Sequence, residues 1–160
     1  MEESNKENLT TKERVALTKK QETKAKSNKG IMFSAVGRRK RSVARVWLYP
    51  KKGEFLINDK PVSEVYPNIF QKLIWVKPFH IVGVSHPKSK FSATIKTHGG
   101  GISSQVEAIQ LGITRALIKF NPEFKDSLKK AGLPTRDPRE VERKKTSQPK
   151  ARKKVQYSKR

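Results

Sequence analysis

The chain has 160 residues, no cysteine and a formal net charge of +23, with 37 Lys and Arg against 14 Asp and Glu. That length gives room for one ordinary domain with extensions, and the lack of thiols excludes disulfides and thiolate metal sites. No apolar run approaches the ~18 residues of a membrane span, and no long helix sets Trp or Leu against a lysine face, so no membrane partner is expected and a nucleic acid is.

The charge is spread unevenly. Residues 1–30 carry eight basic and five acidic side chains, residues 31–134 eighteen and six, and residues 135–160 eleven and three. The middle segment alone stands at +12, so self-repulsion opposes its folding until a polyanion neutralises it. His80, His86 and His98 show no metal-ligand grouping, and no metal or cofactor is expected. A nuclease would need clustered carboxylates, whereas Glu54, Asp59, Glu64 and Glu107 are scattered. The chain does not read as an enzyme.

Residues 1–32 are polar and low in complexity, with Leu9, Val15 and Leu17 the few large apolar groups between Met1 and Gly30. They read as a disordered N-terminal extension, without the apolar stretch of a secretory signal and with too many Glu for a transit peptide. A globular domain is expected over residues 33–134. Gly37 is followed by four cations, Arg38, Arg39, Lys40 and Arg41, which repel one another unless phosphate lies nearby. Ser42–Tyr49 then alternates, with Ala44, Val46 and Leu48 on one face and Val43, Arg45, Trp47 and Tyr49 on the other, the pattern of a half-buried strand. Trp47 and Tyr49 suit a core and an RNA-facing surface equally well.

Pro50–Gly53 reads as a turn and Glu54–Ile57 as a second strand, the hairpin partner of the first. From Asn68 to Val76 the apolar residues recur at helical spacing, and Pro78 is expected to end that helix, with a short strand over Phe79–Val82. Phe91–Thr97 alternates as a strand. Gly99, Gly100 and Gly101 then lead into a helix whose apolar stripe runs through Ile102, Val106, Ile109, Ile113, Ala116, Leu117 and Phe120. Bare backbone at a helix N-terminus can lodge a phosphate, and it can equally be a turn that needs positive φ. The run has neither the GK[ST] ending of a P-loop nor the dinucleotide spacing. Asn121-Pro122-Glu123 opens a further helix, with Asn as cap and Pro at its first position, and Gly132 with Pro134 stops it.

The tail, residues 135–160, has no helical or strand period. From Arg143 to Arg160 it holds nine Lys or Arg and no carboxylate, with Val155 and Tyr157 the only sizeable apolar side chains. Such a segment buries too little surface to offset its chain entropy, and is expected to be ordered only against a polyanion. A generic solubilising tail, or one on a free DNA-compacting protein, would tolerate scrambling; the interleaved Pro149, Tyr157 and Ser158 speak for a defined path.

Gly37-Arg38-Arg39-Lys40, Ala44-Arg45-Val46, Gly99-Gly100-Gly101, Gly112-Ile113 and Arg115-Ala116-Leu117 occur here in order. Thr135-Arg136-Asp137, Val141-Glu142-Arg143-Lys144-Lys145, Lys150-Ala151-Arg152 and the closing Tyr157-Ser158-Lys159-Arg160 follow them. From about Ala35 to the end this resembles small-subunit ribosomal protein S-nine of bacterial or plastid type. The resemblance implies an α+β fold, a small sheet covered by helices like the second domain of ribosomal protein S-five, with a long extended basic C-terminal tail. It implies a structural place in the small-subunit head, with small-subunit rRNA, peptidyl-site tRNA and neighbouring head proteins as partners. Read onto this chain, the rRNA-binding residues are Arg38, Arg39, Lys40, Arg41, Arg45, Gly99, Gly100, Gly101 and Arg115. In the tail they are Arg136, Arg139, Arg143, Lys144, Lys145, Lys150, Arg152, Lys153 and Lys154; Ser158, Lys159 and Arg160 are the expected tRNA contacts. Ser104 stands where the family usually has Gly, and Thr146–Pro149 replaces a Gly-containing link. The Thr135–Arg139 variant and the preponderance of Lys favour a plastid stroma, with a bacterial cytoplasm as the alternative.

Overall fold

The computed structural model describes residues 32–158. The proposed extension at residues 1–32 lies outside them except for its last residue. In chain order the elements are β1 (Phe33–Arg39), β2 (Ser42–Tyr49), β3 (Phe55–Ile57), β4 (Lys60–Pro61), α1 (Val62–Val65), α2 (Ile69–Ile81), α3 (Pro87–Lys90), β5 (Ser92–His98), α4 (Ile102–Phe120) and α5 (Phe124–Lys130). The five strands form one mixed sheet in the order β1-β2-β5-β3-β4. Residues 135–158 add no helix or strand.

Alternation decides the layers. Ala44, Val46 and Leu48 of β2 are buried and pair with Thr97, Ile95 and Ala93 of β5, so one sheet face is continuous and apolar. Helix α4 covers that face with the expected stripe: Val106, Ile109, Ile113, Ala116 and Leu117 are all buried. Removing each large aliphatic side chain of this stripe from water is worth about 2 kcal/mol. Ile102 departs from the stripe and stays 57% exposed. An aromatic chain closes the far side of the core, with Phe79 on Phe55 and Phe91 at centroid distances of 5.6 and 5.7 Å, and Phe91 on Phe120 at 5.4 Å.

The β1–α4 contact is tighter than any side chain would allow. A Cβ on Gly37 would lie 1.9 Å from the Ala108 carbonyl oxygen and 2.6 Å from the Gly112 nitrogen, so β1 lies directly on the helix backbone. A Cβ on Gly112 would meet Val46 Cγ2 at 2.6 Å. The two glycines set the spacing of sheet and helix.

Four expectations are corrected. The hairpin partner of Ser42–Tyr49 is β1, across the two-residue turn Lys40-Arg41; β3 instead runs parallel to β5, and so needs the long crossover through α1, α2 and α3. Helix α2 does not end at Pro78 but continues to Ile81. A proline this close to the C-terminus costs one ladder bond, and burial of Trp75, Val76 and Phe79 around it compensates. Phe79–Val82 is therefore the helix end and not a strand. The last helix begins at Phe124, after a turn in which the Asn121 side chain accepts the Glu123 amide at 3.1 Å.

Candidate nucleic-acid interface

The sheet face away from α4 is basic. Arg45 of β2 is exposed and stands directly opposite Lys96 of β5 in the ladder. Arg38 of β1 is exposed on the same face, opposite Val43. Like charges facing each other across a ladder destabilise it unless an anion sits between them. Lys96 is not among the site residues read from the sequence, because only the β2–β5 register reveals its partner. Trp47 and Tyr49 lie half-buried on this face, between the two readings given to them.

At the tip of the β1–β2 hairpin, Lys40 (φ 48°) and Arg41 form the exposed turn. The glycine run packs under it. A Cβ on Gly99 would lie 2.6 Å from the Arg41 carbonyl oxygen, and one on Gly100 would lie 2.0 Å from Ser42 Oγ. Both have positive φ, 73° and 64°. Ser42 Oγ donates to the Gly99 carbonyl at 3.0 Å and contacts Ser104 Oγ at 2.8 Å, and the Gly101 amide donates to Ser104 Oγ at 3.1 Å. The Ser104 hydroxyl is thus turned inward and holds the helix start to the hairpin.

Gly101 differs from its neighbours: its φ is −102°, and a Cβ placed on it would meet nothing within 4 Å. The amides of Ile102, Ser103 and Ser104, in the first turn of α4, have no acceptor within the helix. Ile102, Ser103 and Ser104 line a groove of about 1130 Å³ together with Lys40, Arg41, Arg143, Lys144 and the carboxylates Glu140 and Glu142. The glycine run therefore has two jobs: Gly99 and Gly100 fit the hairpin, while Gly101 faces the groove. Gly100→Ala is expected to cost ~2 kcal/mol or more through clash and positive φ, and Gly101→Ala less than ~0.5 kcal/mol. Thermal unfolding of the two variants checks this; equal losses would contradict it.

Two of the domain's cations assigned to rRNA, Arg39 and Arg115, are engaged within the protein, as are Arg136, Arg139 and Arg152 of the tail. Arg39 is 9% exposed, ion-paired with Glu107 and Asp137 (3.0 Å to the latter), and its Nη1 donates to the Arg139 carbonyl at 2.7 Å. Arg115 donates to the Val36 carbonyl at 2.9 Å, as Lys119 does to Ser34 at 2.6 Å, so each caps one carbonyl on the free edge of β1. Arg38, Lys40, Arg41 and Arg45 remain exposed.

In the tail, Arg136 pairs with Glu140, Asp137 with Arg139, and Glu142 with Arg152, which closes a loop over residues 143–151. Arg143, Lys144, Lys145, Lys150, Lys153 and Lys154 are exposed. Ser158 is the last described residue, and Lys159 and Arg160 lie outside the described part. The Arg139 side chain and then its backbone N–H hold the Asp137 carboxyl far below the usual carboxylate range, and the Arg152 guanidinium lowers Glu142. Both folded-state values are depressed, so these pairs contribute order above the ordinary value of ~4 and lose it as pH falls through the depressed values. Carboxyl-carbon NMR shifts should place the Asp137 midpoint below that ordinary value; a midpoint near 4 would contradict the pairing.

A family model described as ribosomal protein S9/S16 matches residues 37–160. The chain belongs to that family. Among its relatives, the small ribosomal subunit protein uS9 of Methylacidiphilum infernorum is 45% identical over 128 residues, covering 80% of this chain and 92% of the relative. The protein of the same name from Azobacteroides pseudotrichonymphae is 46% identical over 129 residues, 81% of this chain and 98% of the relative. That from Bacteroides fragilis is 42% identical over an equal length. Membership of the S9/S16 family makes this a ribosomal protein and not an enzyme. The match begins at Gly37, the glycine that seats β1 on α4, and runs through the groove and the tail, so it covers every candidate contact named above.

Proposed function

We propose that this protein is a structural component of the small-subunit head, that its open sheet face and groove bind rRNA, and that residues 135–160 run extended through the rRNA so that Ser158, Lys159 and Arg160 reach the peptidyl-site tRNA. The observation that carries the reading is the convergence of the Lys40-Arg41 turn, the unpaired amides of α4 and the first cationic run of the tail on one groove. Arg38, Arg45 and Lys96 extend the phosphate-binding surface over the sheet, and Arg136, Arg139, Arg143, Lys144, Lys145, Lys150, Arg152, Lys153 and Lys154 extend it along the tail. Arg39 and Arg115 support that surface from within. Neighbouring head proteins complete the set of partners. The names of the relatives support a ribosome of bacterial lineage, in a bacterial cytoplasm or in a plastid stroma; the Thr135–Arg139 variant supports the second.

Deleting residues 158–160 is expected to leave fold and subunit incorporation unchanged and to weaken tRNA at the peptidyl site by ~1–3 kcal/mol, since only charge-assisted contacts are lost. Arg160→Ala should reproduce much of the loss, because a guanidinium grips phosphate with two bonds. The assay is tRNA binding to purified subunits across a salt series. Equal affinity with parent and truncated protein at every salt would remove the tRNA contact from the proposal.

A further inference from the structure

Four charges meet where the tail leaves the body. The Gly37 contact places β1 on α4 at Ala108, and two residues on, Arg39 consequently lies beside Glu107. The guanidinium faces Asp137 at 3.0 Å, and Nη1 donates to the Arg139 carbonyl at 2.7 Å. Asp137 in turn accepts the Arg139 backbone amide at 2.9 Å and its guanidinium at 2.7 Å. Arg39 thus uses its fork on one body carboxylate, one tail carboxylate and one tail carbonyl. Its side chain is 11% exposed while that of Arg139 is 83% exposed, so the inner arginine is sealed and the outer one faces solvent.

We propose that Arg39 is a positioning residue: it fixes the direction in which the tail leaves the domain and makes no phosphate contact itself. A cationic tail on a cationic body is driven outward by repulsion, and these opposite charges anchor its root. Fixing residues 137–139 carries the next cations, Arg143 and Lys144, to the groove beside Lys40 and Arg41. The tail then starts into RNA from one defined point, with less ordering entropy to lose on binding. This rests on the reading that the tail runs through rRNA.

The test uses the full chain, whose lack of cysteine allows spin labels at Lys52→Cys and Thr146→Cys. A narrow distance distribution is expected in the parent, a broad one in Arg39→Met and Asp137→Ala, and an intermediate one in Arg39→Lys, which keeps the charge and loses the fork. In parallel, Arg39→Met is expected to lower affinity for a small-subunit head rRNA transcript about tenfold with the salt slope unchanged, whereas Arg38→Gln lowers the slope by ~0.9. Equal distributions in parent and variants, or a slope loss in Arg39→Met matching Arg38→Gln, would overturn the proposal. Should Arg39→Met not fold, Asp137→Ala, outside the sheet, decides by the same two readouts. If removing residues 140–160 left rRNA affinity intact, the tail reading would fall while the distance result stood.

Discussion

Gly37→Val is expected to prevent stable folding. The added Cβ would sit 1.9 Å from the Ala108 carbonyl oxygen and 2.6 Å from the Gly112 nitrogen, both backbone atoms of α4 that no rotamer change can move aside. Relief requires lifting β1 from the helix, which uncovers Ala35, Val46 and Ile109 and separates Arg39 from Glu107. Overpacking against side chains costs ~1–3 kcal/mol; against helix backbone the loss should exceed ~3 kcal/mol, a large share of a small domain's stability. Circular dichroism of the purified variant checks it, and a melting temperature within a few degrees of the parent would show that the close contact is not needed.

The second large effect is on RNA and not on the fold. Neutralising Arg143, Lys144 and Lys145 together by Gln should leave the melting temperature unchanged, because all three are exposed and none is paired among the described residues. Affinity for head rRNA should drop ~100-fold near physiological salt, and the slope of log affinity against log salt should become shallower by about 2 to 3. Filter binding across a salt series reads both. A drop in affinity with the slope unchanged would mean that these residues act through structure and do not meet phosphate.

The α4 stripe and strands β2 and β5 were legible because each keeps one period over most of its length. Strand β1 was hidden by its own charges: Ala35, Gly37 and Arg39 alternate inward, but a glycine and a buried arginine do not look like a core face. Its turn, Lys40-Arg41, lacks the Asn or Gly that signals a tight hairpin, and Lys40 adopts positive φ regardless. Pro78 misled in the opposite direction, since burial of Phe79 and Trp75 outweighs one missing hydrogen bond. In the site, the exposed cations were visible as charge alone. What could not be read linearly was which cations the protein itself uses. Arg39 and Arg115 look the same as Arg38 and Arg41 until Glu107, Asp137 and the β1 edge carbonyls are placed beside them. The value of Lys96 likewise appears only with the register.

Joint neutralisation of rRNA phosphates by sheet face, groove and tail at defined positions is the core of the proposed function. It is tested most directly by measuring the affinity of the full chain for a small-subunit head rRNA transcript from about 50 to 300 mM salt, against an unrelated RNA of equal length. The same series is run for the Arg38→Gln, Arg45→Gln, Lys96→Gln triple variant. The expected result is a slope steeper than about −5 for the parent, a preference for the head transcript that survives at high salt, and a slope shallower by about 2 to 3 in the triple variant. Equal affinity for both RNAs, with parent and variant indistinguishable, would contradict it.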